Sequence, residues 1–200
     1  RYATGASRAS IATDALTMGS KDSDPRRDAV RLVAAMPTIV ATYWRLSRGE
    51  DPVAPNSDMG HAENYLHMLS DRLPEPMQVR ALEAYWNTVI EHGFNASTFA
   101  ARVIVSTHSD LISGTTGALG ALKGPRHGGV PGPVLDMLRE IGEPENAEAY
   151  LRAMLDRGDR IMGFGHRAHK VRDPRAAVLE QVARPLFESN ADDPLLSLAK

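Results

Sequence analysis

The chain has 200 residues, 42% of them hydrophobic, so it can bury the core of one large domain or of two small ones. Its formal net charge of -2 at pH 7 disfavours nucleic-acid binding as the main function, because such domains are usually basic. The absence of cysteine excludes disulfides and thiolate metal sites. No apolar run approaches the roughly 20 residues that cross a bilayer, and the first ten residues, RYATGASRAS, contain no apolar core of the signal-peptide type. We expect a soluble, cytoplasmic protein, or a mitochondrial-matrix protein if the source is eukaryotic.

Apolar residues recur at helical spacing along most of the chain, and the alternating pattern of strands is nearly absent. Pro37 should kink or divide the first helix, and the long fourth helix should be interrupted near Gly114. The pattern predicts an all-α protein. The predicted helices lie at about 28–46, 60–70, 75–92, 96–121, 131–142, 144–157, 173–189 and 193–200.

Glycine and proline collect in GPRHGGVPGP, residues 124–133, between two helical halves. The cluster is typical of a connection between domains, and we predict one domain over 1–126 and another over 127–200. His127 stands in the middle of this cluster, just ahead of a predicted helix. A helix N-terminus disfavours imidazolium, so His127 is a candidate for a neutral hydrogen-bond donor in a cleft.

The glycine-rich and histidine-containing segments do not match common nucleotide-binding or metal-binding motifs. GALGALKG lacks the spacing of a phosphate loop, and GFGHRA lacks a third glycine and a preceding strand. His166 and His169 lie three residues apart, but no partner acid stands near them in a recognised arrangement, so we predict no metal site. The basic stretch around them, GFGHRAHKVRDPR at 163–175, is either a solvated helix face or a site for anions.

Three histidines stand at helix ends or in glycine turns: His92 in HGFNAST, His127 in GPRHGG and His166 in MGFGHRAHKVRDPR. In this order and at these spacings, the three segments resemble the signature segments of the citrate synthase family. PTIVATYWRLSRG and HAENYLHML also resemble the helices that precede them in that family. The resemblance covers nearly the whole chain. It implies an all-α, citrate synthase-like fold with a large and a smaller helical domain, incomplete at both ends.

The resemblance also implies a reaction. Citrate synthases condense acetyl-CoA, a substrate rather than a cofactor, with oxaloacetate and then hydrolyse the citryl thioester to citrate and CoA. Removing a proton next to the thioester needs a base, and the resulting enolate needs a hydrogen-bond donor. By resemblance His127 is that donor, Ser97 bonds this histidine from behind, and His166 polarises the oxaloacetate carbonyl.

Further positions match residues that bind the two substrates in the family. His92 and Arg175 match positions that hold oxaloacetate carboxylates, and the planar fork of arginine suits such groups. The GFG sequence would let the backbone approach the adenine end of CoA, while Lys170 would meet phosphate charge. The residues expected to contact CoA are Met162, Gly163, Phe164, Gly165 and Lys170.

The general base of the family is an aspartate in a segment beyond the third histidine, and no such segment precedes Lys200. Asp173, Asp192 and Asp193 do not match its motif. We therefore expect the chain to be the central portion of the enzyme and to be inactive alone. Two alternatives stay open: a 2-methylcitrate synthase that uses propionyl-CoA, and a non-catalytic piece that binds CoA or dimerises.

The region 96–121 is apolar and rich in small residues, so its helices can pack backbone to backbone. They either pair inside one chain or form a two-fold interface, as similar helices do in citrate synthases. We predict a homodimer, which a large charged side chain at Gly117 or Gly120 should break.

Overall fold

The computed structural model describes residues 24–129, 131–164, 172–190 and 193–199. Every regular element in these ranges is helical, which confirms the predicted all-α class. None of these helices combines the length and the apolar character that a membrane span needs. The helices are α1 Pro25–Ser47, α2 His61–Ser70, α3 Pro76–Val89, α4 Ala96–Ser106, α5 Leu111–Leu122, α6 Pro131–Ile141, a 3-10 turn Pro144–Asn146, α7 Ala147–Asp156, α8 Pro174–Ser189 and α9 Pro194–Leu198.

Three helices begin at an Asp-Pro pair. The predicted starts of α8 and α9 fall within one residue of the observed ones, whereas the prediction began α1 at about residue 28 and missed its pair. Asp24, Asp173 and Asp193 are the N-caps of α1, α8 and α9, and proline follows each of them. Each carboxylate accepts a hydrogen bond from the backbone N–H two residues further on. The proline lacks an N–H that the first helical turn would leave unpaired, and its φ is already helical.

Helix α1 packs against α2 and α5 around a small apolar core. Arg45 of α1 is buried at the edge of this core, and its charge is compensated by acceptors from the following segments. Its guanidinium donates to the carbonyl oxygens of Asp51 and Leu69 and pairs with Glu50 at 3.3 Å. These bonds tie the segment after α1 to the end of α2. The buried apolar side chains of this part are Ala41, Ala62, Met68 and Ile112.

The structure corrects the predicted break at Gly114 and shows that Pro37 does not divide α1. Pro37 lies buried within α1, which continues past it to Ser47, and a kink at this residue stays a prediction. Gly114 lies inside α5, and the break in the 96–121 region falls instead at residues 107–110. There His108 adopts a φ of 64°, and the carboxylate of Asp110 caps α5. The backbone N–H of Ser113, which donates to that carboxylate at 2.8 Å, lowers the pKa of Asp110.

Helices α4 and α5 form the most extensive helix pair among the described residues, and glycines of α5 make their close approach possible. A Cβ built on Gly114 would lie 2.8 Å from Cγ2 of Val105 in α4. A Cβ on Gly117 would overlap the Cδ1 atom of Ile104. Gly120 has open space at the same place. Gly114 and Gly117 are therefore needed for the contact between α4 and α5 within one chain. A substitution at Gly117 would disturb this contact and cannot by itself test for a dimer.

The chain divides into two compact units. One contains the described residues up to Val79 together with Glu91–Gly128, and the other contains Arg80–Ile90 together with the described residues from Gly129 onward. The α4–α5 pair belongs to the first unit, and α6 to α9 belong to the second. The assignment of 1–126 and 127–200 as functional domains stays a prediction.

The α4–α5 contact predicts opposite effects for the same substitution at two glycines of α5. Gly120→Ala should raise the free energy of unfolding by up to about 1 kcal/mol, because alanine is the better helix former. Gly114→Ala should lower it by about 1 kcal/mol, because overpacking costs about 1–3 kcal/mol and exceeds that gain. Val105 has little freedom to turn away, since valine is restricted to one main rotamer in a helix.

Urea denaturation of the two variants and the unchanged protein measures both effects under the same conditions. Gly120→Ala is the matched control for the intrinsic preference of alanine. Equal stabilisation by both substitutions would show that Gly114 is not needed for the helix contact.

Candidate functional site

Asn95 begins the local arrangement that contains two of the predicted site residues. It is the N-cap of α4, with extended backbone angles, and its Oδ1 accepts the backbone N–H of Thr98 at 3.0 Å. The hydroxyl of Ser97 donates to the same oxygen at 2.7 Å. Because asparagine is a preferred N-cap residue, the sequence NAST itself places Ser97 in the first turn of α4.

His127 lies in the turn that follows α5. Its backbone N–H donates to the carbonyl of Gly124 at 2.9 Å, and the N–H of Gly128 donates to the carbonyl of Leu122 at 2.8 Å. A Cβ on Gly128 would lie 2.7 Å from that same Leu122 oxygen. Glycine is therefore needed at 128 for the turn to fold back against the end of α5 and to hold His127 in place.

The structure brings Ser97 and His127 together. The Ser97 Oγ and the Nε2 of His127 are 2.8 Å apart, although the residues are 30 positions apart in sequence. Both side chains are partly buried, so water competes weakly with this bond. An imidazole held at one nitrogen by a hydroxyl has a fixed ring orientation, which leaves Nδ1 as the nitrogen that can face a ligand.

His92 lies in the link between α3 and α4 and is exposed. The neighbouring Gly93 has a φ of +64°, and its N–H donates to the side chain of Glu91 at 2.6 Å. The link therefore has a defined local turn three residues before the N-cap Asn95. The role of His92 in binding a substrate carboxylate stays a prediction.

Arg175 lies in the first turn of α8 and is held by the N-cap of that helix. Asp173 accepts the backbone N–H of Arg175 at 2.9 Å, and it also binds the Nε and Nη2 atoms of the guanidinium at 3.0 and 2.6 Å. This pairing is bidentate, which fixes the plane of the guanidinium. Arg175 is thus presented as an oriented fork at a helix start, and Asp173 is a positioning residue that the sequence analysis did not assign.

The described part of the predicted CoA segment is Met162, Gly163 and Phe164. Gly163 has a φ of +88°, a conformation that other residues rarely adopt. A Cβ at this position would lie 3.3 Å from a methyl group of Val134 in α6. The turn itself therefore requires glycine here, independently of any ligand. Phe164 is 68% exposed.

The predicted residues Gly165, His166 and Lys170 lie outside the described residues. Their roles toward oxaloacetate and CoA therefore stay predictions. Across the ranges that the structure does describe, no group of three acidic or histidine side chains is placed to hold a metal ion.

Sequence reasoning missed the position of Asn95 in the Ser97–His127 arrangement. The available signal was an asparagine directly before a predicted helix with a serine two residues later. Asparagine at an N-cap directs its oxygen at the first turn, where the side chain of a following serine also lies. Asp173 was rejected as a general base and placed at the start of a predicted helix, but its bond to the Arg175 side chain was not predicted.

A family model described as citrate synthase, C-terminal domain, matches residues 2–200. Citrate synthase 2 of Bacillus subtilis is 49% identical over 160 residues, which are 80% of this chain and 43% of that protein. A 2-methylcitrate synthase of Mycobacterium tuberculosis is 47% identical over 170 residues, which are 82% of this chain and 43% of that protein.

The chain also has the fold of solved citrate synthase structures. Citrate synthase of Thermotoga maritima superposes with a TM-score of 0.79 at 38% identity, covering 98% of this chain and 52% of that one. Citrate synthase of Thermoplasma acidophilum, solved as a ternary complex with carboxymethyl coenzyme A and oxaloacetate, has a TM-score of 0.86 at 29% identity. The match covers 99% of this chain and 53% of that one.

These matches and the helical elements define an all-α protein with the fold of the citrate synthases. The chain belongs to the citrate synthase family. It spans less than half the length of the curated relatives it matches.

Proposed function

We propose that the full-length protein condenses acetyl-CoA with oxaloacetate and water to give citrate and CoA. The observation that carries this proposal is the bond between Ser97 and His127 in a chain of the citrate synthase family. The reaction would proceed through enolisation of the thioester, formation of the carbon–carbon bond and hydrolysis of the citryl thioester. The general base would be an aspartate of the full-length protein outside this chain.

His127 would donate a hydrogen bond to the thioester oxygen while negative charge develops there. The ring that carries such a donor must be oriented before the reaction, because an oriented group needs less reorganisation when the charge appears. The bond between Ser97 and His127 and the glycine-dependent turn at 127–128 fix the orientation of the ring. His166 would polarise the carbonyl of oxaloacetate, so that each reactant is activated by its own histidine.

The remaining assignments concern substrate binding. Arg175 and His92 would bind the carboxylates of oxaloacetate. Asp173 holds the Nε and Nη2 side of Arg175, so a substrate carboxylate would share the guanidinium with it. The turn at Met162 and Gly163, with Gly165 and Lys170, would contact CoA, and the exposed ring of Phe164 would cover part of it.

A 2-methylcitrate synthase that takes propionyl-CoA is the second candidate, because one relative of that description is 47% identical. Propionyl-CoA has one more methylene than acetyl-CoA, which a pocket distinguishes by only about 1–3 kcal/mol. The two substrates share the thioester and the adjacent proton, so the Ser97–His127 bond serves either reaction. The ratio of kcat/KM for the two acyl-CoAs, measured on the full-length protein, decides between them. A protein that binds CoA but condenses neither acyl-CoA would be the non-catalytic alternative.

Replacing His127 by alanine should lower kcat of the full-length protein at least about a hundredfold, since a positioned acid–base or oxyanion donor typically contributes that much or more. The turn should persist, because its two hydrogen bonds come from the backbone. His67→Ala is the control, since His67 lies in α2 and contacts the carbonyl of Arg72 instead. Near-normal turnover of the His127 variant would remove this residue from the mechanism.

Replacing Arg175 by alanine should raise the KM for oxaloacetate at least about tenfold and change the KM for acetyl-CoA much less, since it removes a charged bidentate partner. Helix α8 should still start correctly, because Asp173 accepts the backbone N–H of residue 175. Arg152→Ala is the matched control, because Arg152 is an exposed cation of the same unit that pairs with Glu148. An equal rise of both KM values would instead indicate a general disturbance of the second unit.

We propose a homodimer in which α4 and α5 form part of the two-fold interface. The space beside Gly117 is occupied by Ile104 of the same chain, so a substitution there would also disturb the α4–α5 contact. A charge at Gly120 stays a prediction, and the test of the interface uses an exposed apolar side chain of α4. Val103 is 48% exposed. Val103→Glu should convert the full-length protein to a monomer, since an unpaired charge would be buried in the interface.

Sedimentation velocity measures this change. Leu155→Glu is the control, because Leu155 is also a large exposed apolar residue, 62% exposed, but lies in α7. A full-length protein that sediments as a monomer and still makes citrate at ordinary rates would contradict the proposed interface.

A further inference from the structure

The hydroxyl of Ser97 has two possible acceptors and only one proton. Asn95 Oδ1 lies 2.7 Å from it, and His127 Nε2 lies 2.8 Å from it on the other side. A hydroxyl donates one hydrogen bond and accepts up to two. Donation of the Ser97 proton to one neighbour therefore requires that the other neighbour donate to Ser97 or lose the bond.

The identity of the Asn95 atom is fixed by the helix cap. The backbone N–H of Thr98 can only donate, and it points at the same Asn95 atom from 3.0 Å, so that atom is the carbonyl oxygen. The oxygen cannot donate to Ser97, so the Ser97 proton must lie between Ser97 and Asn95. Ser97 then accepts from His127, which requires a proton on Nε2.

A proton on Nε2 leaves Nδ1 of a neutral ring without one. Nε2 is occupied by Ser97, so Nδ1 is the ring nitrogen through which His127 can donate to a thioester oxygen. The arrangement seen here therefore holds the neutral ring in the form that cannot donate at Nδ1. The donor form requires the Ser97 hydroxyl to turn from Asn95 to Nε2.

We propose that Asn95 is a positioning residue that competes with His127 for the hydroxyl proton of Ser97 and thereby sets the ring tautomer. In the switch to the donor form, Ser97 keeps its proton and only rotates its O–H bond. The ring gives its Nε2 proton to water and takes a proton from water on Nδ1, so the net charge is unchanged. This inference rests on the proposed function for its catalytic meaning, but the hydrogen-bond competition exists independently of it.

Two substitutions of Asn95 separate this competition from a merely structural role. Asn95→Asp keeps an acceptor for Thr98 and for Ser97, so the helix cap remains, and its charged oxygen holds the Ser97 proton more strongly. We expect kcat to fall about tenfold in this variant, with both KM values within about twofold, since the loss is one of the donor form. Asn95→Ala removes both bonds and should lower kcat by less, even though it removes the cap.

A structural role predicts the reverse order, because aspartate preserves the bonds and alanine does not. Asp110→Ala is the matched control for the loss of a cap: it removes the N-cap of α5, which has no bond to His127. It should lower the midpoint of thermal unfolding as Asn95→Ala does and leave kcat near that of the unchanged protein. A lower kcat in Asn95→Ala than in Asn95→Asp would overturn the proposal.

The carboxylate introduced by Asn95→Asp could also act on His127 directly through its charge. This direct effect is measured in a Ser97→Ala background. If Asn95 acts through Ser97, then Asn95→Asp should cause no further fall in kcat there. A tenfold fall in that background would show that the charge acts on His127 by itself, and the competition would be refuted.

The tautomer itself is read by nitrogen NMR of the full-length protein labelled in histidine, without substrates and at alkaline pH. We expect Nε2–H for the unchanged protein and for Asn95→Asp, and a raised fraction of Nδ1–H for Asn95→Ala. An identical tautomer in the unchanged protein and in Asn95→Ala would overturn the proposal. Because this measurement needs no turnover, it remains decisive even if the protein condenses neither acyl-CoA, which would refute the proposed function alone.

Discussion

The close packing of α4 against α5 is the constraint on which the site depends. Ser97 lies at the start of α4 and His127 lies after the end of α5, so the two side chains meet only if these helices fold back on each other. Gly114 and Gly117 permit this because a side chain at either position would overlap Val105 or Ile104. Four linking residues, 107–110, make the antiparallel pair possible. The close contact between α4 and α5 thus sets the distance between two side chains near their ends.

The same local geometry determines what His127 can do. The turn after α5 orients the histidine through backbone bonds, and Ser97 occupies one ring nitrogen. The reaction proposed here needs a donor at the other nitrogen. Because Asn95 also accepts from Ser97, the protonation of the ring is linked to the cap of α4. The Oδ1 atom of Asn95 would then affect both the stability of the α4 N-terminus and the ability of His127 to donate a hydrogen bond.

The sequence predicted most helices because their starts are encoded locally, as the Asp-Pro pairs before α8 and α9 show, whereas the pair before α1 was missed. It was wrong about Gly114, since glycine was taken as a helix breaker when it was needed for contact with α4. Pro37 does not divide α1, which continues past it with the residue buried. The relation between Ser97 and His127 came from family resemblance, because periodicity carries no information on a contact across 30 residues. The two bonds that Asn95 accepts could be recognised only from the distances among Asn95, Ser97, Thr98 and His127.

Ser97 and Arg175, two residues of the proposed chemistry, lie in the first turns of their helices, and there is a physical reason for this placement. The first N–H groups of a helix have no partner within it, so polar side chains are favoured there and their orientation is fixed by the bonds they make. Asn95 and Asp173 satisfy such groups, and each also holds a neighbour: Ser97 in one case and Arg175 in the other. In both places the cap orients a side chain two residues further on. The helix cap therefore fixes the direction of the Ser97 and Arg175 side chains before any substrate binds.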